Sequence, residues 1–297
     1  MRLLGRHGVV LFAAILLISA APAAFGRDLP EIRQAGVLRH LGIPYANFVT
    51  GSNDGMDVEL IAGFAKRLGV RYEYVRTDWD TVVQDLVGKE ISMTDGRPIL
   101  GRDAPQRGDM IANGFTILPW REELVSFSKP TFPSMIWLIA RADSAVKPIK
   151  PSPKNPVRDI ARVREALKGK KVLTLAKTCL DPSLYKLQET GAIIVRFNGS
   201  LNEMAPAVVK GEAEMTILDV PDALIALEKW PGKIKIIGPI SPPQMMAAGF
   251  RKSSPKLQEA FNDYLAEVIQ NRSYARLVKK YYRNAPYFFP AFFKGML

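Results

Sequence analysis

Short apolar segments alternate with helix-forming segments along almost the whole chain. The expected strands are rich in Val, Ile, Leu and Met and lie at 37–43, 70–74, 109–113, 135–140, 171–175, 193–197, 215–218, 234–237 and 247–250. Between them, apolar residues recur at helical spacing at 57–68, 201–210, 221–229 and 255–270. This alternation is typical of α/β proteins with mostly parallel sheets.

The first 26 residues have the pattern of a secretion signal. A basic start is followed by an apolar run at 9–18 and by small residues at 19–26. The apolar run is shorter than the roughly 20 residues that a membrane-spanning helix needs. We therefore expect 1–26 to be a signal peptide, cleaved near Ala23 or Gly26, and the mature chain to reside in the periplasm. An uncleaved N-terminal anchor is the alternative.

Size and charge narrow the possible functions. The mature chain has about 270 residues, near the size at which one core divides into two domains. Its single cysteine, Cys179, excludes an internal disulfide. The formal charge is +12, or +10 once Arg2 and Arg6 are removed, but the basic residues are scattered among acidic ones. That pattern predicts a solvated surface, or one suited to an acidic ligand or membrane, rather than a nucleic-acid partner.

The chain is expected to form two lobes. Residues 144–156 are rich in Pro, Lys and Ser and predict an exposed loop. We place one crossing between the lobes near Ile139, within or just after the strand at 135–140, and a second near Ile237. Lobe 1 would then comprise 27–138 and 239–297, and lobe 2 would be the inserted segment 139–238.

Several polar and aromatic residues follow the expected strands or open the expected helices. Ligands of open α/β sheets bind at this edge, beyond the carboxyl ends of the strands. A guanidinium there can grip a carboxylate through two parallel hydrogen bonds, and a carboxylate can neutralise an ammonium. The set therefore suits a zwitterionic ligand, although Arg121 could be a surface residue, Asp219 a helix cap and Met56 part of the core. The candidates are Tyr45, Met56, Gly114, Thr116, Arg121, Thr178 and Asp219.

Four ordered motifs resemble one family. The segment FTILPWREELVSFSKPTF (115–132) resembles the T-x-T-P-E-R … V-x-F-S-x-P-Y signature of the family 3 periplasmic solute-binding proteins of ABC importers. DGMDVELIAGFAKRLGV (54–70), LKGKKVLTLAKTCLDPSLYKL (167–187) and VVKGEAEMTILDVPDAL (208–224) resemble their first helix, their second-lobe entry and their G-x-x-D-A-x-x-x-D strand. The resemblance implies a type II two-lobed fold, a monomer without a cofactor, and a permease as partner.

The resemblance also implies roles for individual residues. Arg121 matches the Arg that binds the ligand carboxylate, and Thr116 matches a hydroxyl that helps to hold the head group. Asp219 matches the Asp that binds the α-ammonium. Thr178 matches a Thr of the loop that caps the carboxylate, and Tyr45 matches an aromatic that packs on the ligand side chain.

The chain departs from the family pattern around these positions. Leu118 replaces a Thr, Trp120 a Glu, Lys177 a Gly and Cys179 a second Thr, and Met56 stands at a usual Phe. A keto acid, a dicarboxylate or a modified amino acid therefore remain open as ligands.

Segment 90–108 is an insertion relative to the usual family layout. Its Gly, Arg and Asp residues show no periodicity, so we expect a surface loop. Because it precedes its strand, it is expected on the face opposite the cleft, as a partner contact or as decoration.

Two rival classes share this fold. Cyclohexadienyl dehydratases need a carboxylic acid in the cleft, for which Glu122, Glu123 and Glu203 are the candidates. Lytic transglycosylases add a lysozyme-like domain for which we expect no room in this chain. His40, the only mature histidine, lies within a strand and is a poor catalytic base. A sensor or accessory subunit is the other rival, because the aromatic C-terminus at 281–297 could dock on a receptor or enzyme instead of packing on the first lobe.

Overall fold

The structure, a computed structural model, describes residues 27–52, 54–94, 96–152 and 155–297. The expected signal peptide at 1–26 lies outside these residues. Within the described ranges, no helix is both long enough and apolar enough to span a bilayer.

The helices and strands follow the alternation expected from the sequence. In the described residues the strands are β1 (Val37–Gly42), β2 (Arg71–Arg76), β3 (Lys89–Thr94), β4 (Arg97–Asp103), β5 (Met110–Ile111), β6 (Val125–Phe127), β7 (Phe132–Ser134), β8 (Ile136–Arg141), β9 (Lys171–Thr174), β10 (Ile193–Arg196), β11 (Met215–Asp219), β12 (Ile234–Pro239), β13 (Gln244–Met246) and β14 (Gly249–Arg251). The α-helices are α1 (Leu29–Ala35), α2 (Met56–Leu68), α3 (Val82–Val87), α4 (Pro119–Glu122), α5 (Pro156–Glu165), α6 (Leu201–Lys210), α7 (Val220–Lys229), α8 (Pro255–Gln270), α9 (Ser273–Tyr281), α10 (Ala285–Phe288) and α11 (Pro290–Phe293). Two 3-10 turns, Pro182–Tyr185 and Leu187–Thr190, lie between β9 and β10.

Each lobe is built on one sheet. The first has the order β2-β1-β5-β14-β6 and the second the order β10-β9-β11-β8-β12. In the first sheet, β1 is parallel to β2 and β5, whereas β14 is antiparallel to β5 and β6, so β6 points the same way as β1. In the second, β9 is parallel to β10 and β11, whereas β8 is antiparallel to β11 and β12. The prediction of a two-lobed α/β fold with mostly parallel sheets is confirmed.

A short two-stranded ribbon joins the lobes. In this ribbon β7 pairs antiparallel with β13. Along the chain, β7 comes directly before β8, and β13 comes shortly after β12. The whole of β8 pairs within the second sheet, so the chain has already crossed by Ile136, before the boundary expected at 138/139. The sequence is apolar from β7 of the ribbon into β8, so no local change in composition marks the point where the chain crosses between the lobes. The return crossing follows Pro239, next to the boundary expected at 238/239.

The segment at 90–108 is not a loop, as we had expected. Most of it forms an antiparallel hairpin in which Ile91 pairs with Leu100, Ser92 with Ile99 and Met93 with Pro98. The Asp-Gly pair at 95–96 is a hairpin-turn signal. Gly96 has a φ of +76°, in the left-handed region that such turns require. We refer to β3, β4 and their turn as the inserted hairpin.

The aromatic C-terminus packs largely on the first lobe and the ribbon. Tyr282 and Phe293 are buried and lie 4.8 and 5.7 Å from Phe132, measured between ring centroids. Phe288 contacts Trp137 at 5.3 Å, whereas Tyr287 is 84% exposed. Packing therefore accounts for much of this segment.

Candidate functional site

Asp219 ends β11 and caps α7, in the second lobe. One of its carboxylate oxygens accepts a hydrogen bond from the Tyr45 hydroxyl, and the other accepts from Cys179 Sγ at 3.2 Å. Tyr45 belongs to the first lobe, so its bond to Asp219 crosses the cleft. Burial raises the pKa of Asp219, while the hydrogen bonds from Tyr45 and Cys179 oppose that rise.

A second carboxylate lies beside it. Asp222 is buried in the first turn of α7, and its Oδ2 atom has no hydrogen-bond partner among the described residues. Burial and the neighbouring Asp219 charge raise the pKa of Asp222 well above its usual value. Two desolvated carboxyl groups at one strand end make this edge of the second lobe favourable for a cation.

Arg121 is the corresponding charge of the first lobe. It lies in α4 and is only 1% exposed. Its Nη1 donates to the carbonyl oxygen of Thr116 at 2.9 Å, but its Nε finds no partner, and no carboxylate of the described chain forms an ion pair with it. Its guanidinium carbon lies 4.2, 5.3 and 5.7 Å from the ring centroids of Phe115, Trp120 and Trp79. Burial lowers the pKa of Arg121 to about 10.

The remaining candidates have structural contacts. Thr178 donates its hydroxyl to Leu175 and accepts from the Leu180 amide, and so fixes its own turn. Met56 is fully buried in the core. Gly114 donates its amide to Asp57 at 2.7 Å; its φ is +65°, and a Cβ there would meet the Phe48 ring at 2.4 Å. Roles for these three in ligand binding remain predictions.

Asp57 provides a test of how the site is held together. Burial raises its pKa from 3.8 to about 7, against the opposing hydrogen bond from Gly114. Between these two pH values the unfolded chain has released a proton that the folded chain keeps, so stability falls as pH rises through this interval and then levels off. Asp57→Asn keeps an oxygen for Gly114 and should be about 4 kcal/mol more stable than the parent at pH 8, but equally stable near pH 4. Urea unfolding at the two pH values measures this difference, and an equal difference at both would contradict it.

Sequence reasoning missed several residues of this region. Trp79 contacts both Arg121 and Tyr45, and it follows β2 between two Asp residues, a strand-end position that could have identified it. Cys179 was noted only as a departure from the family pattern, yet it contacts Asp219. Tyr185 donates its hydroxyl to the carbonyl of Cys179 and accepts from Gln244 at 3.3 Å.

The inserted hairpin lies at the cleft and not on the opposite face, where we had expected it. Ile91, Ser92 and Met93 line a cavity whose other walls include Lys177 and Leu184 of the second lobe. The expectation rested on where the segment begins, at the amino end of a strand. A hairpin arm of six residues extends about 20 Å, however, and can reach the other edge of the sheet.

The two α/β lobes are joined by a ribbon; one holds a buried cation without an ion-pair partner among the described residues, and the other holds buried carboxylates. These features are those of a two-lobed binding protein. Residues 104–284 match the bacterial extracellular solute-binding proteins, family 3. The chain belongs to that family, as its motifs had indicated.

Individual relatives agree with this assignment. The chain is 24% identical to the histidine-binding periplasmic protein of Escherichia coli strain K12 over 92% of its own length and 96% of that protein. It is 25% identical to the membrane-bound lytic murein transglycosylase F of Desulfosudis oleivorans over 77% of its length, but spans only 44% of that enzyme.

Solved structures show the same fold. A mutant of ArgBP from T. maritima is 25% identical, with a TM-score of 0.67 over 86% of this chain and 99% of that one. The ancestral amino acid-binding protein AncCDT-1, a precursor of cyclohexadienyl dehydratase, is 24% identical, with a TM-score of 0.68 over the same shares.

Proposed function

We propose that this protein captures a small, carboxylate-bearing, amino-acid-like ligand between its lobes in the periplasm and delivers it to an ABC importer. The observation that carries the proposal is the buried Arg121 guanidinium, whose Nε has no partner in the described chain. An uncompensated buried charge is costly, and a ligand carboxylate would satisfy it through charge-assisted hydrogen bonds.

The second lobe supplies the complementary charge. Asp219 and Asp222 lie at the end of β11, and Asp219 also accepts a hydrogen bond from Cys179 of the same lobe. A ligand ammonium could take the place of the Tyr45 hydroxyl at Asp219. The names of the E. coli relatives, which bind histidine or lysine, arginine and ornithine, support an amino-acid-like ligand and a periplasmic location.

The contacts of Glu203 make it a poor proton donor for dehydratase chemistry. This carboxylate accepts from the amide and hydroxyl of Ser200 at the start of α6, and these hydrogen bonds lower its pKa. A proton donor needs the opposite shift, toward the working pH. Glu122, the last residue of α4, and Glu123, which follows it, are both exposed. An assay of prephenate with the purified protein tests this alternative: turnover would show that the protein is a dehydratase.

Ligand binding should close the cleft. Because Arg121 and Asp219 belong to different lobes, neither lobe alone can satisfy both ligand charges, and the ligand should shift the population toward the closed form. Two hydrogen bonds across the cleft support such a closed form: the Tyr45 hydroxyl donates to Asp219, and the Ala46 amide donates to the Asn202 side chain. Small-angle scattering should give a smaller radius of gyration with saturating ligand than without it. An unchanged radius, with binding confirmed in the same sample, would argue against transport by closure.

A further inference from the structure

A cavity of about 530 Å³ lies between the lobes, beneath the inserted hairpin. The first lobe contributes Trp79 and Trp120, the hairpin Ile91 and Met93, and the second lobe Lys177 and Leu184. Pockets of about 300–1,000 Å³ suit drug-sized ligands, so this space exceeds what an amino acid as small as alanine would fill.

The cavity borders the head-group site. The two indoles that line it, Trp79 and Trp120, are the same rings that lie 5.7 and 5.3 Å from the Arg121 guanidinium. These rings therefore stand between the buried cation and the cavity. A carboxylate that reached Arg121 from this side would leave its substituent between or beside the two indoles.

Part of the cavity wall is apolar. Met93 of the hairpin and Leu184 of the second lobe line the cavity from different parts of the chain, yet are 43% and 38% exposed. Apolar side chains that are exposed around a concavity are available to contact a ligand, and a ligand here would fit between the lobes.

The charged groups of the cavity largely satisfy one another. Lys177 pairs with Asp80 across the cleft at 3.4 Å, and its backbone amide donates to Asp181. Lys177 has a φ of +60°, an uncommon conformation for a residue with a side chain. With these charges engaged, the aromatic and aliphatic walls and a few neutral polar side chains remain to contact a ligand.

We propose that the inserted hairpin and the two indoles form a second subsite, which binds a large aromatic or apolar substituent of the ligand whose carboxylate binds Arg121. This inference rests on the proposed function and adds the class of ligand: a carboxylate with a bulky apolar group, instead of a compact amino acid.

The test compares L-alanine, L-tryptophan and indole-3-propionate as probes, by calorimetric titration of the mature protein. At least one indole probe should bind about tenfold or more tightly than alanine. Met93→Ser should weaken that probe about three- to eightfold, because part of a Met side chain is buried only when the cavity is filled. Alanine affinity should not change.

The matched control is Ile99→Ser. Ile99 is on the other strand of the same hairpin and is 49% exposed, but it does not line the cavity. The Ile99→Ser variant should bind all three probes within about twofold of the parent. Both variants should melt within about 2 °C of the parent, because substitutions of exposed residues affect stability little. If alanine binds as tightly as the indole probes, or if Met93→Ser has no effect, the subsite is overturned while the carboxylate site stands. If none of the three carboxylates binds, both the subsite and the proposed function are contradicted.

Discussion

Replacing Arg121 with methionine is expected to abolish carboxylate binding while leaving the protein at least as stable as the parent. Removing one partner of a desolvated charge pair costs about 2–5 kcal/mol. At 1.4 kcal/mol per decade, that corresponds to a loss of about 30-fold to several-thousand-fold in affinity. Stability should not fall, because methionine retains much of the buried apolar stem and removes a charge that has no ionic partner in the described chain.

Calorimetric titration and thermal unfolding of the same preparations measure the two effects. Arg67→Met is the matched control, since Arg67 is an exposed residue of the first lobe whose ion pair with Glu267 is also exposed. Such pairs contribute little, so this control should bind as the parent does. Binding by Arg121→Met within threefold of the parent would show that the guanidinium does not hold the ligand.

Replacing Asp219 with asparagine should distinguish a ligand-binding carboxylate from a helix cap. Asn caps helices about as well as Asp, so α7 should remain intact. If the ligand carries an ammonium, its affinity should fall by about 2–5 kcal/mol, or 30-fold or more, because a charged partner is lost. A deaminated analogue of the same ligand should lose less than about threefold, since it never made that contact.

The pair L-tryptophan and indole-3-propionate makes this comparison directly. Asp28→Asn is the matched control: Asp28 caps α1 and hydrogen-bonds to the Leu257 amide of the same lobe. Equal weakening of both probes by Asp219→Asn would show that Asp219 serves only as a cap and that the ligand need not be an amino acid.

Much of the fold was predictable because it follows from local patterns. Apolar periodicity distinguishes strands such as β11 from helices such as α8 without any knowledge of the tertiary structure. Alternation of the two then restricts the architecture to an α/β sheet with ligands at the strand ends. Arg121 and Asp219 were found by that rule alone, since each is adjacent to a strand end or a helix start.

Segment 90–108 shows where local patterns fail. The strands of the inserted hairpin pair only with each other, and several of their side chains are exposed on both faces, so their composition resembles that of a loop. Its turn signal was present at 95–96, but nothing local determines the direction in which a hairpin projects. That direction places Met93 at the cleft.

Sequence patterns were enough to predict the class of fold, the family and the two charges expected to bind the ligand head group. Which groups those charges contact depends on the tertiary structure. Tyr45 and Asp219 are 174 positions apart, and their contact depends on how two separately built lobes close on each other. Arg121 packs beside Trp79 and Trp120 within the first lobe, and the cavity under the inserted hairpin takes its other wall, including Lys177 and Leu184, from the second. The spacing of apolar residues indicates which face of a helix or strand is buried. Contacts between the lobes depend instead on how distant segments pack together, which no single segment specifies.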